Sequence, residues 1–166
     1  MQFHYDVSDD FYALWLDARR VYSCAYYRDA GMPLAQAQEA KLDHVCRKLM
    51  LCEGERFLDI GAGWGGLLLW AAQHYGVKAT GITLSKNQHA YCEQLLDAVD
   101  TDRSHKVLLR GWEQFSDPVD RIVSIEAFEH FGFERYDDFF KNAFNILPDD
   151  GRMTIQSSTG FHPDDY

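Results

Sequence analysis

The sequence predicts an α/β fold: one doubly wound, mostly parallel sheet with helices packed on it. Three observations predict it. Short apolar runs that read as strands alternate with helical periodicities from residue 56 onward. The first such run, FLDIGAGWGGLL (57–68), collapses into glycines before helical periodicity resumes. No repeat, low-complexity segment or linker interrupts the alternation, so 1–166 reads as a single domain. Within it, 1–34 is a covering N-terminal segment and 35–166 the core.

The elements follow in order. Ser8, then Asp9 and Asp10, marks a helix start with acids at the positive end of the dipole, and Phe11, Leu14 and Trp15 give it one apolar face. VYSCAYYRDAGMPL (21–34) is aromatic and irregular. LAQAQEAKLDHVCRKLML (34–51) is helical, with Leu42, Val45, Cys46, Leu49 and Met50 on one stripe. RFLDIG (56–61) is a buried strand, GGLLLWAAQHYG (65–76) a helix closed by Gly76, and VKATGIT (77–83) a second strand. LSKNQHAYCEQLLDAV (84–99) is a helix that Ser85 is placed to cap. KVLLRG (106–111) and RIVSIEAF (121–128) are the third and fourth strands. RYDDFFKNAFNILP (135–148) is a helix stopped by Pro148, and GRMTIQSS (151–158) a fifth strand.

Composition narrows the function. A net charge of −10 argues against nucleic acid as a partner, because Lys and Arg supply most of that affinity. Contact with an anionic surface needs a local basic patch, for which Arg19, Arg20 and Arg28 are the candidates. Aromatic residues reach 14%, which suits an enclosed apolar ligand as well as an ordinary core. Cys24, Cys46, Cys52 and Cys92 form no C-x-x-C, so free thiols in a reducing cytoplasm are expected and no metal knuckle is written. No run of about 18 apolar residues occurs and no signal peptide opens the chain, so a cytoplasmic protein is expected, with peripheral membrane contact as one way to reach a lipid.

Gly61, Gly63 and Gly66 fit G-x-G-x-x-G at the carboxyl edge of the first strand, where open parallel sheets bind ligands. The glycines alone suit NAD and other nucleotides equally. The acids discriminate. A dinucleotide site wants an acid about 20 residues on, at the end of the second strand, for the ribose hydroxyls; that place reads Gly81-Ile82-Thr83. The acid lies before the glycines instead, at Asp59. Acid-apolar-Gly-x-Gly is similar to the first motif of Rossmann-like methyltransferases. Their cofactor S-adenosylmethionine carries a sulfonium and an ammonium that an acid favours by charge.

Longer stretches sharpen this. HYDVSDDFYALWLD, YSCAYY, LDIGAGWGGL, GITLSKNQ, GWEQF, PVDRIVSIEAFEHFG and ERYDDFF occur in this order. Together they resemble the cyclopropane fatty acid synthase family, most closely its mycolic acid cyclopropane synthase branch. The resemblance implies a Rossmann-like class I methyltransferase fold. It also implies methyl transfer from S-adenosylmethionine to the cis double bond of a long unsaturated acyl chain, phospholipid or carrier-bound. The resulting carbocation closes to a cyclopropane in most relatives and is diverted to hydroxyl- or methyl-branched products in some. Bicarbonate is implied as the bound base.

Motif by motif, the resemblance assigns Tyr22 and Ser23 to the cofactor, and Phe57, Asp59, Gly61, Ala62, Gly63, Trp64 and Gly65 to its methionine-binding loop. Thr83, Leu84 and Gln88 fall to the ribose, and Trp112 and Glu113 to the adenine. Cys24, the Ile125 backbone, Glu129 and His162 fall to bicarbonate. Thr83 and Gln88 can hydrogen-bond a diol without charge, which accounts for the missing ribose acid. Two positions depart from the family: Ala62 stands where cysteine is usual, and Glu126 where glycine is usual, beside the bicarbonate position. A pocket-facing carboxylate at Glu126 is expected to weaken an anionic base.

The family fold continues with two further strands, so a truncated sheet with an exposed, self-associating edge is expected. A non-catalytic S-adenosylmethionine-binding fragment and a methyltransferase for a non-lipid small molecule are the alternative functions. Glu126, Glu129 and His130 spell E-x-x-E-H, but a carboxylate-bridged metal site needs a matching Glu-x-x-His elsewhere, and none occurs.

Overall fold

The strand β1 (Arg56–Ile60) is central because both of its faces are apolar: Phe57, Leu58 and Ile60 are almost fully buried. In the computed structural model, which describes residues 9–99 and 105–160, it pairs in parallel with β2 (Lys78–Thr83) on one side and β4 (Arg121–Ile125) on the other. β3 (Lys106–Leu109) adds to β2 and β5 (Arg152–Gln156) to β4, also in parallel, giving the order β3-β2-β1-β4-β5. The chain therefore builds outward from β1 to β3, then returns to build outward on the other side. That reversal opens a crevice above the carboxyl ends of β1 and β4.

Helices cover both faces. Helix α1 (Asp9–Ala13) is a short turn in the N-terminal segment. Helices α2 (Leu34–Leu49), α3 (Gly66–Tyr75) and α4 (Lys86–Val99) contribute Leu42, Leu49, Leu68, Ala71, Cys92 and Leu96 to one core, with Phe57 and Val107 from the sheet. Helix α5 (Tyr136–Ile146) buries Phe139, Ala143 and Ile146 against Leu58, Ile122 and Trp112 on the opposite face. Burial of these side chains drives the fold, at roughly 1.5–3 kcal/mol for each large apolar group.

The caps follow from local chemistry. Ser85 Oγ accepts the Gln88 N–H at 3.3 Å, capping α4 as its position predicted. Gly76 closes α3 in the left-handed conformation, φ 64°. Met50 adopts the same conformation to end α2 and is exposed rather than on the buried stripe. The fourth strand is shorter than expected: it stops at Ile125, because Glu126 turns left-handed at φ 52° and Phe128–His130 forms a single 3₁₀ turn. All four cysteines are free thiols. Among the described residues, no helix is long and apolar enough to cross a membrane. Ser8 and His162 lie outside the described residues.

Candidate active site

The crevice holds a cavity of about 220 Å³, and backbone geometry explains its floor. Gly61 leaves β1 at φ +88°, and a Cβ there would stand 2.7 Å from Ala127 Cβ, so only glycine lets the β1 and β4 loops meet. The Gly61 and Ala62 amides both donate to Ile82 O at 3.0 Å, pinning the turn to β2. Gly81, opposite Asp59 in the ladder, has the same need: its Cβ would meet Ala62 Cβ at 2.8 Å.

The residues expected to hold a cofactor are largely brought together here. Asp59, Gly61, Ala62, Gly63 and Trp64 line the cavity from β1 and its loop. Thr83, Leu84 and Gln88 line it from β2 and α4, Trp112 and Glu113 from the loop after β3, and Tyr22 and Ser23 from the N-terminal segment. Two stand apart. Phe57 faces the core beside Leu42 and Leu49, and Gly65 is the N-cap of α3, packed on Cys92.

Thr83 Oγ1 donates to Gln88 Oε1 at 3.0 Å, so the pair is already linked at the cavity wall, with Ser85 N–H donating to Thr83 Oγ1 at 3.2 Å. At the far end Trp112 is buried under the Arg135 guanidinium, 5.1 Å from the ring centroid, and Arg135 is ion-paired with Glu113. Trp64 is braced edge-on by Tyr91 at 5.4 Å and lies 5.2 Å from the Arg20 guanidinium. Arg20 thus lines the cavity, and Arg19 pairs with Glu39 at 3.2 Å, so neither contributes to a solvated basic patch.

Two ionisable groups are buried in the wall. Asp59 is 3% exposed, and burial lifts its carboxyl to about 7, with Lys41 pulling it back. Lys41, from α2, is 4% exposed, and burial lowers its ammonium to about 8 against the opposing pull of Cys24, Asp17, Asp59 and Glu126.

Of the residues expected to hold an anionic base, the described ones, Cys24, Ile125 and Glu129, fall about the carboxyl ends of β4 and β5. Ile125 and Glu126 line the cavity, whereas Cys24 and Glu129 do not. Glu129 accepts from Ser157 Oγ at 3.1 Å and from the Ser158 amide at 3.2 Å. Glu126 accepts from Ser158 Oγ at 2.7 Å and Gln156 Nε2 at 3.3 Å, and the same Gln156 amide reaches Cys24 Sγ at 3.3 Å. Glu126 is not helical, so it shares no helix face with Glu129.

Sequence reasoning missed Lys41 and Gln156. A signal existed for the first: Gln38 and Lys41 precede Leu42, Val45 and Leu49 at the spacing of the buried stripe, and both are buried. Gln156 is visible only through the register that sets it opposite Ile125.

Comparison with known proteins decides the family. The model of the mycolic acid cyclopropane synthetase family matches residues 1–166. The chain belongs to the mycolic acid cyclopropane synthetase family. Within reach of it are hydroxymycolate synthase MmaA4 of Mycobacterium tuberculosis, 60% identical over 163 residues, 98% of this chain and 54% of that protein. Cyclopropane mycolic acid synthase 1 of the same organism is 52% identical over 163 residues, 98% of this chain and 57% of that protein. The crystal structure of mycolic acid cyclopropane synthase CmaA1 in complex with SAH and CTAB superposes with a TM-score of 0.95 at 52% identity, over 99% of this chain and 57% of that one. The chain thus spans about half the length of the relatives it matches. Its parallel sheet is the Rossmann-like fold of the class I methyltransferases.

Proposed function

We propose that this family member binds S-adenosylmethionine in the crevice between β1 and β4 and alkylates the cis double bond of a long unsaturated acyl chain. The observation that carries the reading is the cavity itself. A glycine turn that excludes any side chain, a buried acid at Asp59 and the linked Thr83–Gln88 pair converge on one space. Similarity to a protein solved with SAH supports the same assignment.

The residues fit the group. Asp59 offers a buried negative charge to the ammonium and sulfonium, the Gly61–Gly63 backbone permits close approach, and Trp112 presents an aromatic face to the base. When bound, the cofactor supplies an electrophilic methyl group, and the alkene that accepts it is left as a carbocation. The chain's task is then to exclude bulk water and to hold one chosen base or nucleophile.

Two outcomes compete at the β4 end. Bicarbonate, held by Cys24, the Ile125 backbone and His162, and donating its own O–H to Glu129, would remove a proton from the transferred methyl and close a cyclopropane. Glu126 favours the other outcome, in which water adds to the cation, loses its proton to a carboxylate, and leaves a hydroxyl. Its support is the second carboxylate itself, lining the cavity beside Ile125, where it disfavours an anionic base. The higher identity to a hydroxymycolate synthase than to a cyclopropane synthase points the same way.

Calorimetry with S-adenosylhomocysteine and with NAD, followed by assay of S-adenosylhomocysteine release with and without a monounsaturated lipid, tests the reading. Binding of S-adenosylhomocysteine alone and lipid-dependent release are expected. Binding of NAD with no response to S-adenosylhomocysteine would sink it. Binding without lipid-dependent release would leave a cofactor-binding fragment.

A further inference from the structure

Lys41 is a buried, charged residue of the cavity wall that the assignments above leave without a role. It sits on α2 among Leu42, Val45 and Leu49, is 4% exposed, and lines the cavity. Lysine is almost never buried to this extent unless paired, because removing an ammonium from water is costly. Yet among the described residues no carboxylate forms an ion pair with its Nζ within 4 Å. Its hydrogen bond goes to a neutral group, Ser23 Oγ, at 2.6 Å. Asp59, Glu126, Asp17 and Cys24 surround it at longer range, which lowers the cost of the charge without neutralising it by contact.

Ser23 also lines the cavity. Its oxygen accepts from Lys41, so its own proton is free to be given to an acceptor in the cavity. An ammonium behind a hydroxyl that faces an empty space is an arrangement for an anion. In the same cavity wall, Asp59 is an arrangement for a cation. One ligand group carries both charges on a single carbon: the α-amino acid end of the cofactor.

We propose that Lys41, acting through Ser23, positions the carboxylate of the cofactor's amino-acid end, while Asp59 takes its ammonium. This rests on the cofactor assignment above and adds to it a residue and a role. Lys41 is a positioning residue: Ser23 touches the ligand, and Lys41 orients and polarises the Ser23 hydroxyl.

The test compares two ligands that share the adenosine and thioether but differ in the amino acid: S-adenosylhomocysteine and 5′-methylthioadenosine. Calorimetry is run on the 166-residue chain, on Lys41→Met, Lys41→Arg and Ser23→Ala. Lys41→Met should weaken S-adenosylhomocysteine roughly 10- to 100-fold, the scale of a lost charge-assisted hydrogen bond, while 5′-methylthioadenosine changes less than about threefold. Ser23→Ala should repeat that selectivity, and Lys41→Arg should recover most of the affinity. Ser23→Ala keeps the buried charge, so it carries the test should Lys41→Met not fold. Equal losses for both ligands would make Lys41 a structural residue only, and unchanged affinity for S-adenosylhomocysteine would remove it from the site; either overturns the proposal. A parent chain that binds neither ligand would overturn the cofactor reading as well, whereas a parent that binds S-adenosylhomocysteine beside an equally tight Lys41→Met overturns this inference alone.

Discussion

The two ends of the cavity are built differently. At the β1–β2 end the polar groups are buried: Asp59, Thr83, Ser85 and Gln88 are all below 9% exposed, and each is held by a strand end or a helix cap. At the β4–β5 end Glu126 and Glu129 are half-buried and Cys24 is exposed. They are tied to one another and to Gln156, Ser157 and Ser158, residues up to 132 positions apart. The first end is fixed by backbone and is preorganised in the folded chain. The second depends on three separate segments meeting, so its chemistry can be retuned by single side chains without disturbing the sheet. This division suits a family whose members include hydroxymycolate, methoxy mycolic acid and cyclopropane mycolic acid synthases.

The contrast breaks most severely at Gly61. Gly61→Val adds branched bulk where a Cβ would already stand 2.7 Å from Ala127, at a φ of +88° that side chains rarely adopt. A loss of about 3 kcal/mol or more is expected from strain and overpacking together. Urea denaturation should show it, along with loss of S-adenosylhomocysteine binding. A variant of parental stability would mean that the two loops are free to separate, contrary to a preorganised first end.

Asp59→Asn sharpens the contrast with opposite effects on stability and binding. Burial raises this carboxyl from 3.8 to about 7 in the folded chain. The ionised form therefore costs folding free energy, fully so above pH 7, and the cost disappears as pH falls toward 4. Lys41, lowered to about 8 by burial, costs most below pH 8 and is relieved as pH rises toward 10.5. The ligand-free chain should thus lose stability between pH 4 and 7 and regain some above 8. Asp59→Asn should abolish the first slope and raise the melting temperature at pH 7.5 by a few degrees, at roughly 2–4 °C per kcal/mol. It should also weaken S-adenosylhomocysteine roughly tenfold or more. Thermal melts across pH, with calorimetry at pH 7.5, check both; a variant less stable at pH 7.5 would contradict the burial cost.

How much could be read from the sequence follows the same division. The strand–helix alternation, the glycine turn, Asp59 and the Ser85 cap are local, and short-range periodicity exposes them. Thr83 and Gln88 are five residues apart, so one short motif carries both, but their mutual hydrogen bond is visible only in the structure. Lys41 was half legible, as a polar residue at a buried helical position. Gln156 was not: only the parallel register opposite Ile125 brings it to Cys24, and no local pattern in RMTIQ marks it. The end of β4 is not legible, because Ile125-Glu126-Ala127-Phe128 carries no glycine to announce a left-handed turn, although Glu126 makes one.

That turn supplies the smallest expected effect on the scaffold and a direct test of the second end. A non-glycine residue at φ 52° costs about 1 kcal/mol, which Glu126→Gly would recover. The same change deletes two acceptor interactions, an exposed one from Ser158 Oγ at 2.7 Å and a partly buried one from Gln156 Nε2 at 3.3 Å, each worth about 1 kcal/mol or less. The two contributions oppose each other, so stability should move by no more than about 1 kcal/mol. Affinity for S-adenosylhomocysteine should stay within about threefold, because the β1–β2 end is untouched. Under the proposed function, the acyl product should not stay the same. With one carboxylate left beside Ile125, an anionic base is repelled less, and the ratio of cyclopropane to hydroxylated lipid, read by mass spectrometry at fixed bicarbonate, should rise. An unchanged ratio would mean that Glu126 serves only to fasten the end of β5 to the turn after β4, and that the choice of product is made by other residues.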